Sequence, residues 1–300
     1  MDWKLDPGIY FKHGTKVKLT VSHYDINEWQ TLRPAVDQVT LWWLGQAGFA
    51  LRYGRRAFLI DPYLSDSLAK KYRGQIFPHE RMMPVPVAPE ALQEIDWVFC
   101  THRHTDHMDP TTLTSLLRSS GCRVVVPCAV LGHILENIGP AADRTTCVNA
   151  GQSVMLDENI GLHPIPAAHE SLTVNTKGEH YFLGYMLQLG DIRIYHSGDC
   201  VPYDDLETIL RGLKPDIALL PVNGRDTYRR SHNVPGNFHF EEALVLCQNT
   251  GIAYLIPHHY GMFEFNSVDP NDLQRKIDAA FLPVNVVLPQ LNRAYCFSKS

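Results

Sequence analysis

The sequence lacks any apolar run long enough to cross a membrane. A membrane-spanning helix needs about 20 consecutive apolar residues, and no stretch of the 300-residue chain approaches that length. The first six residues, MDWKLD, also lack the apolar core of a secretion signal. We therefore expect a cytoplasmic protein that has no membrane partner.

Cysteine is present in a number and spacing that exclude its usual structural uses. The seven cysteines are odd in number, scattered, and form no C-x-x-C pair. A disulfide framework would call for an even, patterned set, and a thiolate zinc site would call for closely spaced pairs. The sequence therefore predicts reduced thiols, as is usual in a cytosol.

An excess of positive charge is also missing. The formal net charge is -5, and the composition, with 45% hydrophobic and 20% charged residues, is that of an ordinary globular protein. A nucleic-acid partner would call for a basic face, so none is expected. The sequence also has no G-x-S-x-G motif to present a nucleophilic serine.

The order of strands and helices predicts an α/β protein with two sheets. Residues 1–38 are difficult to assign and are interpreted as an N-terminal arm or lid, followed by a single domain over 39–300. That domain opens with hairpin-like strands at 39–44, 49–53 and 57–60, and then alternates strands with helices. Such an order suits two sheets packed face to face, with helices outside. A Rossmann sheet would instead begin with a Gly-rich turn, which is absent.

One short segment has the pattern of a metal site. His102, His104, Asp106 and His107 lie within six residues, directly after the predicted strand 96–100. In an extended chain alternate side chains share a face, so the first three are expected to point the same way. Asp109-Pro110 follows, as the N-cap and first residue of a helix predicted to reach Ser119. The alternative is a solvated polar loop.

Further candidate ligands follow other predicted strands. His169 comes after strand 160–166, Asp199 follows the hairpin of strands 181–189 and 192–196, and His258-His259 follow strand 253–256. Taken singly, each is more often a loop residue than a ligand. Because all of them stand just beyond a strand, we expect them to meet at one sheet edge.

These motifs together resemble the metallo-β-lactamase superfamily, and more narrowly the L-ascorbate-6-phosphate lactonases and their relatives. The matching stretches are Trp42-Trp43-Leu44-Gly45, residues 101–109, Tyr195-His196-Ser197-Gly198-Asp199 and Ile256-Pro257-His258-His259. The resemblance implies the four-layer αββα sandwich of the superfamily. It departs from several of the lactonases at His169, where they carry an aspartate-containing segment; the histidine here is the more general superfamily residue.

The resemblance implies a role for each candidate. His102, His104 and His169 would hold a first metal ion, and Asp106, His107 and His259 a second, with Asp199 bridging them. His259 is preferred to His258 because the family's ligand falls two residues after the proline. Asp61 resembles the superfamily's first-motif aspartate, which orients a ligand without binding the metal. His196 is expected to be structural.

Two divalent ions would supply the nucleophile in a protein that has no G-x-S-x-G serine. Two ions can share a bridging hydroxide and lower the pKa of bound water from about 15.7 to about 7. We expect this hydroxide to attack the substrate, with Asp106 and Asp199 as the catalytic carboxylates. The mixed histidine and carboxylate set suits manganese or zinc, with iron as a third candidate.

The expected substrate is a small anion, such as a phosphorylated or carboxylated sugar lactone. Asn223, Arg225 and Arg229 follow the strand at 217–221, where the arginines are able to pair a phosphate or carboxylate; an exposed basic turn is the alternative. Tyr260 is a further candidate for substrate binding. Two other functions stay open, a metal-dependent phosphodiesterase and a non-catalytic metal-binding sensor. Relatives of this kind often form homo-oligomers, and no interface signal in the sequence decides this.

Overall fold

Two β-sheets form the centre of the computed structural model, which describes residues 17–22, 25–35, 37–138, 143–279, 282 and 284–299. The strands are β1 (Val17–Ser22), β2 (Gln38–Gly45), β3 (Gly48–Tyr53), β4 (Arg56–Ile60), β5 (Trp97–Phe99), β6 (Arg123–Pro127), β7 (Thr145–Val148), β8 (Val154–Asp157), β9 (Ile160–Pro166), β10 (Leu183–Leu189), β11 (Ile192–His196), β12 (Ile217–Pro221), β13 (Tyr254–His258), β14 (Asn285–Val286) and β15 (Ala294–Lys299). The helices are α1 (Ser67–Lys71), α2 (Pro110–Ser119), α3 (Leu131–Asn137), α4 (Leu206–Leu213), α5 (Thr227–Ser231), α6 (Phe240–Thr250) and α7 (Pro270–Ala279).

The two sheets are built in the same way. The first has the order β1-β15-β2-β3-β4-β5-β6-β7, and the second has the order β14-β13-β12-β11-β10-β9-β8. Strands β4 to β7 are parallel to one another, as are β11 to β14, while the remaining neighbours pair antiparallel. Parallel neighbours end at the same sheet edge, so each sheet presents one edge rich in carboxyl-terminal strand ends.

Alternating side chains of the central strands divide between two layers of core. In β2, Leu41 and Trp43 face the second sheet, whereas Trp42 and Leu44 face outward and pack in the cluster that contains Leu113 of α2. Every second residue of a strand points to the same face, so a strand buried on both faces is apolar throughout. Residues of α4 and α6 join the core on the second sheet. The layers are therefore helix, sheet, sheet, helix, as predicted.

Several elements confirm their predicted bounds, and others differ from them. Helix α2 runs from Pro110 to Ser119, and the Asp109 carboxylate accepts hydrogen bonds from the backbone N–H groups of Thr111 and Thr112. The helix predicted near 89–95 is only a 3-10 turn, Pro89–Ala91. It stops there because the next residue, Leu92, has a φ of -83° and a ψ of 70°, which lie outside the helical region.

The described part of the predicted N-terminal arm is joined to the first sheet. Strand β1 pairs antiparallel with β15 at the sheet edge, and Trp29 packs against Trp42 of β2 with ring centroids 5.4 Å apart. Residues 1–16 lie outside the described residues. The division of the chain at residue 38 stays a prediction.

The expectation that all cysteines are reduced is wrong for one pair. Cys128 and Cys147, 19 residues apart, form a disulfide, and their Cα atoms are 4.6 Å apart. The parallel pairing of β6 with β7, in which Val126 faces Cys147, brings the two thiols together. Spacing along the chain does not reveal such a pair. The other five cysteines are free and buried.

No helix in the described ranges is long and apolar enough to span a membrane. The expected location in the cytoplasm stays a prediction.

Candidate metal centre

The predicted ligands meet where the strand ends of both sheets come together. The loop after β5 carries the H-x-H-x-D-H segment, and the segments after β9, β11 and β13 carry His169, Asp199 and His259. Strands β5 and β6 in one sheet and β11 to β13 in the other run parallel, so their carboxyl ends open on the same side. The sheet topology therefore places seven chemically suitable side chains in one region.

The H-x-H-x-D-H segment is a turn and not an extended chain. The backbone N–H groups of His107 and Met108 both donate to the carbonyl oxygen of His104, at 3.0 and 2.8 Å. The expectation that alternate side chains share a strand face is therefore wrong for this segment. The residues converge because the loop folds back on itself before α2 begins.

One group of possible ligand atoms consists of three imidazoles. His102, His104 and His169 each offer a ring nitrogen, and these nitrogens lie within 4.8 Å of one another. The Nε2 atom of His102 is 3.0 Å from Nδ1 of His104. The geometry brings together the trio that the resemblance assigned to a first ion.

A second group combines a carboxylate with two imidazoles, and Asp199 lies between the two groups. The Nε2 atoms of His107 and His259 are 3.7 and 3.8 Å from Oδ2 of Asp106. The same Nε2 atoms are 3.4 and 3.3 Å from Oδ1 of Asp199, whose Oδ2 is 3.9 Å from Nε2 of His169. Asp199 thus faces both groups, as a bridging carboxylate would.

The chemistry of these side chains fits metal ions. Nε2 of His107, Nε2 of His169 and Oδ1 of Asp199 are buried and have no hydrogen-bond partner among the described residues. Buried polar atoms are almost always paired, so a cluster of unpaired ones needs an explanation. All three face the shared centre, where a cation would satisfy them together.

Electrostatics in the centre keeps His102, His169 and Asp199 in the forms that metals bind. Burial lowers the pKa of His169 to about 3 and, together with the charges of His107 and His104, holds the pKa of His102 well below its usual value. For Asp199, burial acts in the opposite sense, but His259 and His107 hold its pKa well below the usual range. Neutral imidazole and ionised carboxylate are the ligating forms. At His107 burial acts to lower the pKa, but the carboxylates of Asp199, Asp61 and Asp106 hold it well above its usual value.

Asp61 connects the centre to the end of β4. Its Oδ1 atom accepts from the backbone N–H of Thr101 at 2.8 Å, and Oδ2 accepts from the Thr101 hydroxyl at 2.6 Å. Nδ1 of His107 lies 2.7 Å from the same Oδ2 atom. With Nδ1 donating to Asp61, Nε2 of His107 is free to bind a metal. An orienting carboxylate would make such a contact, and the role that the resemblance implies for Asp61 stays a prediction.

His259 and not His258 faces the centre. His259 has a left-handed φ of 64°, which turns its side chain away from the direction that β13 would otherwise give it. His258 stacks on His196 with ring centroids 4.8 Å apart, and Phe49 lies edge-on to both rings. His196 also lies 2.9 Å from the carbonyl oxygen of Ala47. The pair His196 and His258 therefore packs between the sheets.

The four side chains predicted to bind substrate have other partners. Arg225 forms a two-point ion pair with Glu242, at 2.7 and 2.6 Å. Arg229 pairs with Asp226 and donates to Oδ1 of Asn266. The two remaining candidates are occupied in the same way: Asn223 donates to Oδ1 of Asn266, and the Tyr260 hydroxyl donates to the carbonyl oxygen of Pro289. None of the four lines the cavity described next, as far as the described residues show. Their role in substrate binding stays a prediction that no contact supports.

A cavity of about 550 Å³ opens onto the metal centre. Its floor includes His104, Asp106, His169, Asp199 and His259, and its other walls come, apart from Arg103, from segments that the sequence did not single out. The residues of those walls with charged, imidazole or aromatic side chains are Lys71, Tyr72, Phe77, His79, Arg103, His133, His232, Phe263 and Phe265. Ordinary loop residues carry no periodic signal, so only the fold identifies them.

A four-layer αββα fold with histidines and aspartates gathered at the strand ends defines the metallo-β-lactamase class of proteins. A family model described as "Beta-lactamase superfamily domain" matches residues 56–260. That match covers more than half of the chain, and the protein therefore belongs to the beta-lactamase superfamily.

Known proteins resemble the chain over most of its length. A UPF0173 metal-dependent hydrolase from Aeropyrum pernix is 27% identical over 272 residues, which cover 87% of this chain and 98% of the relative. Among solved structures, the metallo hydrolase Igni18 from Ignicoccus hospitalis has a TM-score of 0.61 at 21% identity and covers 86% of this chain and 98% of its own. An isothiocyanate hydrolase from Delia radicum gut bacteria has a TM-score of 0.69 at 20% identity, with coverages of 85% and 98%.

These comparisons confirm the predicted fold and the predicted enzyme class, a metal-dependent hydrolase. The groups of histidine and aspartate side chains described above could bind metal, as a metal-dependent hydrolase requires. The narrower resemblance to L-ascorbate-6-phosphate lactonases is not confirmed.

Proposed function

We propose that the protein is a lactonase that opens a small phosphorylated or carboxylated sugar lactone with the help of two divalent ions. The observation that carries the proposal is the combination of one metal centre and one cavity of about 550 Å³ with cationic side chains on its wall. Cavities of this size suit small molecules. The proposed partner is accordingly a small anionic substrate.

Seven side chains would hold the two ions. His102, His104 and His169 would bind one, and Asp106, His107 and His259 the other, while Asp199 would contact both. When bound, two such ions would supply an activated water and polarise the carbonyl group whose carbon is attacked. Manganese and zinc both suit a mixed histidine and carboxylate set, and iron is a third candidate. Asp106 and Asp199 are the proposed catalytic carboxylates because they lie on the cavity floor.

The charge of the cavity wall supports an anionic substrate. Lys71 and Arg103 line it, and apart from Asp106 and Asp199 the described lining residues include no acidic side chain. A phosphate or carboxylate entering the cavity would meet cations and no repelling charge beyond the proposed ligands. A hydrogen bond that involves a charged group contributes about 1.5–3 kcal/mol of stabilisation.

Aromatic rings form another part of the wall. Phe77 stacks on Phe265 with centroids 4.6 Å apart, and His79 stacks on Tyr72 at 4.2 Å. His79 also meets Phe263 edge-on at 5.1 Å. These contacts fix the rings to one another, so they present an apolar surface beside the metal centre that limits the access of bulk water to the reacting bond.

The test is hydrolysis of L-ascorbate 6-phosphate by protein reconstituted with manganese or zinc, with a generic phosphodiester assayed in parallel. We expect opening of the lactone, lost on chelation and restored by the metal. The double variant Lys71→Ala, Arg103→Ala should raise KM for the phosphorylated lactone by about tenfold, a change of about 1.4 kcal/mol. KM for the unphosphorylated analogue should change far less. The control is Lys70→Ala, next to Lys71 in α1.

Two results would overturn the proposal. Cleavage of the diester without the lactone would move the protein to the metal-dependent phosphodiesterases, with the same ligands and a different use of the cavity. Full metal loading without turnover of any substrate would favour a metal-binding sensor.

A further inference from the structure

Gln46 occupies a strained position behind the metal centre. It lies in the turn between β2 and β3, is fully buried, and adopts a left-handed φ of 50°. Such a conformation costs a residue other than glycine of order 1 kcal/mol or more, and it persists where the surrounding contacts demand it. The backbone carbonyl of Gln46 accepts from Nε1 of Trp43 and from the backbone N–H of His259, both at 3.0 Å. The turn therefore ties the first sheet to the residue that follows β13 in the second.

The side chain of Gln46 contacts two of the proposed ligands directly. Its Nε2 atom donates to Oδ2 of Asp106 at 2.9 Å and lies 3.1 Å from Nε2 of His259. Asp106 and His259 follow strands of different sheets, and Oδ2 of Asp106 is 3.8 Å from Nε2 of His259. One amide thus sets the separation of two ligand atoms that no strand pairing connects.

Gln46 is separate from the other group of ligands and from the substrate cavity. Among the described residues, its side chain hydrogen-bonds to Asp106 and His259 and to none of the three histidines of the other group. It is also absent from the described cavity lining. An effect of Gln46 should therefore be confined to one ion site and should not depend on which substrate is used.

We propose that Gln46 is a positioning residue for the second ion site: its amide nitrogen holds Asp106 and His259 together before the ion binds and keeps its bond to Asp106 afterwards. The inference rests on the ligand assignment in the proposed function, but not on the lactone as substrate. An amide has two N–H groups, so the bond to Asp106 persists when a cation takes the lone pair of His259. Partners of this kind typically change metal affinity by about 10–100-fold.

The experiment measures metal binding and not turnover. Manganese is titrated into metal-free protein, with calorimetry and the electron paramagnetic resonance signal of free manganese reporting each binding step. The variants are Gln46→Gly, which keeps the left-handed backbone without strain, and Gln46→Glu, which keeps the shape but replaces the donor by a carboxylate. Circular dichroism of each metal-free variant verifies folding.

We expect both variants to bind the second manganese ion at least tenfold more weakly and the first ion as in the unchanged protein. Equal affinities in Gln46→Gly and the unchanged protein would overturn the proposal. Affinity for the second ion in Gln46→Glu equal to that of the unchanged protein would also overturn it, because the N–H donor to Asp106 would then contribute nothing to binding. Unchanged protein that binds a single ion would overturn both the ligand assignment and the role of Gln46. Two bound ions without lactone hydrolysis would count against the lactonase alone.

Discussion

The metal centre and the arginine-bearing turn at residues 223–230 both consist of polar residues that follow a buried strand, yet the structure treats them in opposite ways. In the centre, buried nitrogens of His107 and His169 have no hydrogen-bond partner among the described residues. In the turn, Arg225 and Arg229 have theirs within the protein, chiefly Glu242 and Asp226. The centre therefore has polar atoms that are able to bind a ligand, whereas the polar groups of the turn are already paired within the protein.

The comparison shows what separates a binding site from a structural network. A buried polar group without a partner costs about 1–3 kcal/mol, so a cluster of such groups around one point needs an explanation, and a bound cation would supply it. An arginine paired at two points to a carboxylate is, in contrast, already satisfied. Position after a strand is shared by both regions and does not distinguish them.

The largest expected effect is the loss of the carboxylate that faces both ligand groups. Asp199→Ala should reduce bound metal well below two ions per chain and abolish turnover, because Asp199 lies 3.4 and 3.3 Å from the ligand nitrogens of His107 and His259. Metal content by mass spectrometry and a hydrolysis assay test this. The matched control in the turn is Asp226→Ala, which should keep both metals. Full activity of Asp199→Ala would exclude the bridge.

A smaller effect is expected from Asp61, which contacts the ligand His107 through Oδ2 at 2.7 Å. Asp61→Asn tolerates the left-handed φ of 44° at this position, so the change tests the charge and not the backbone. Metal affinity should fall by about 10–100-fold, since the imidazole loses its orienting carboxylate. Competition with a fluorescent chelator measures it, and Asp96→Asn, where the aspartate pairs with Arg56, is the control. If the metal affinity is unaltered, Asp61 only holds the loop backbone through Thr101 and does not orient His107.

The smallest effect is expected in the turn. Arg225→Ala should lower the free energy of unfolding by about 1–3 kcal/mol, because it leaves the Glu242 carboxylate without its partner in a half-buried place. KM should stay the same. Urea denaturation and steady-state kinetics separate the two. Arg230→Ala, whose pair with Glu170 involves a side chain that is 64% exposed, should cost no more than about 1 kcal/mol. A raised KM without loss of stability would instead support the role of Arg225 in substrate binding.

Much of the fold could be predicted from the sequence because its signals are local. The Asp109-Pro110 cap gives the start of α2, and the apolar strand at 217–221 matches β12 exactly. The short strands β7 and β8 and the short helices α1 and α5 were missed, since four or five residues contain too little periodicity to stand out. The disulfide between Cys128 and Cys147 was missed because it depends on strand pairing.

The sequence by itself determined the α/β class, the H-x-H-x-D-H segment and the set of residues able to bind metal, because residue type and the order of strands are properties of the chain. Only the tertiary structure decided which polar residues are left unsatisfied. In the folded chain His259 faces the centre and His258 packs in the core. Arg225 forms an ion pair with Glu242, and Gln46 donates a hydrogen bond to Asp106. Each of these results depends on contacts between residues that lie apart in the sequence, which form only when the chain is folded.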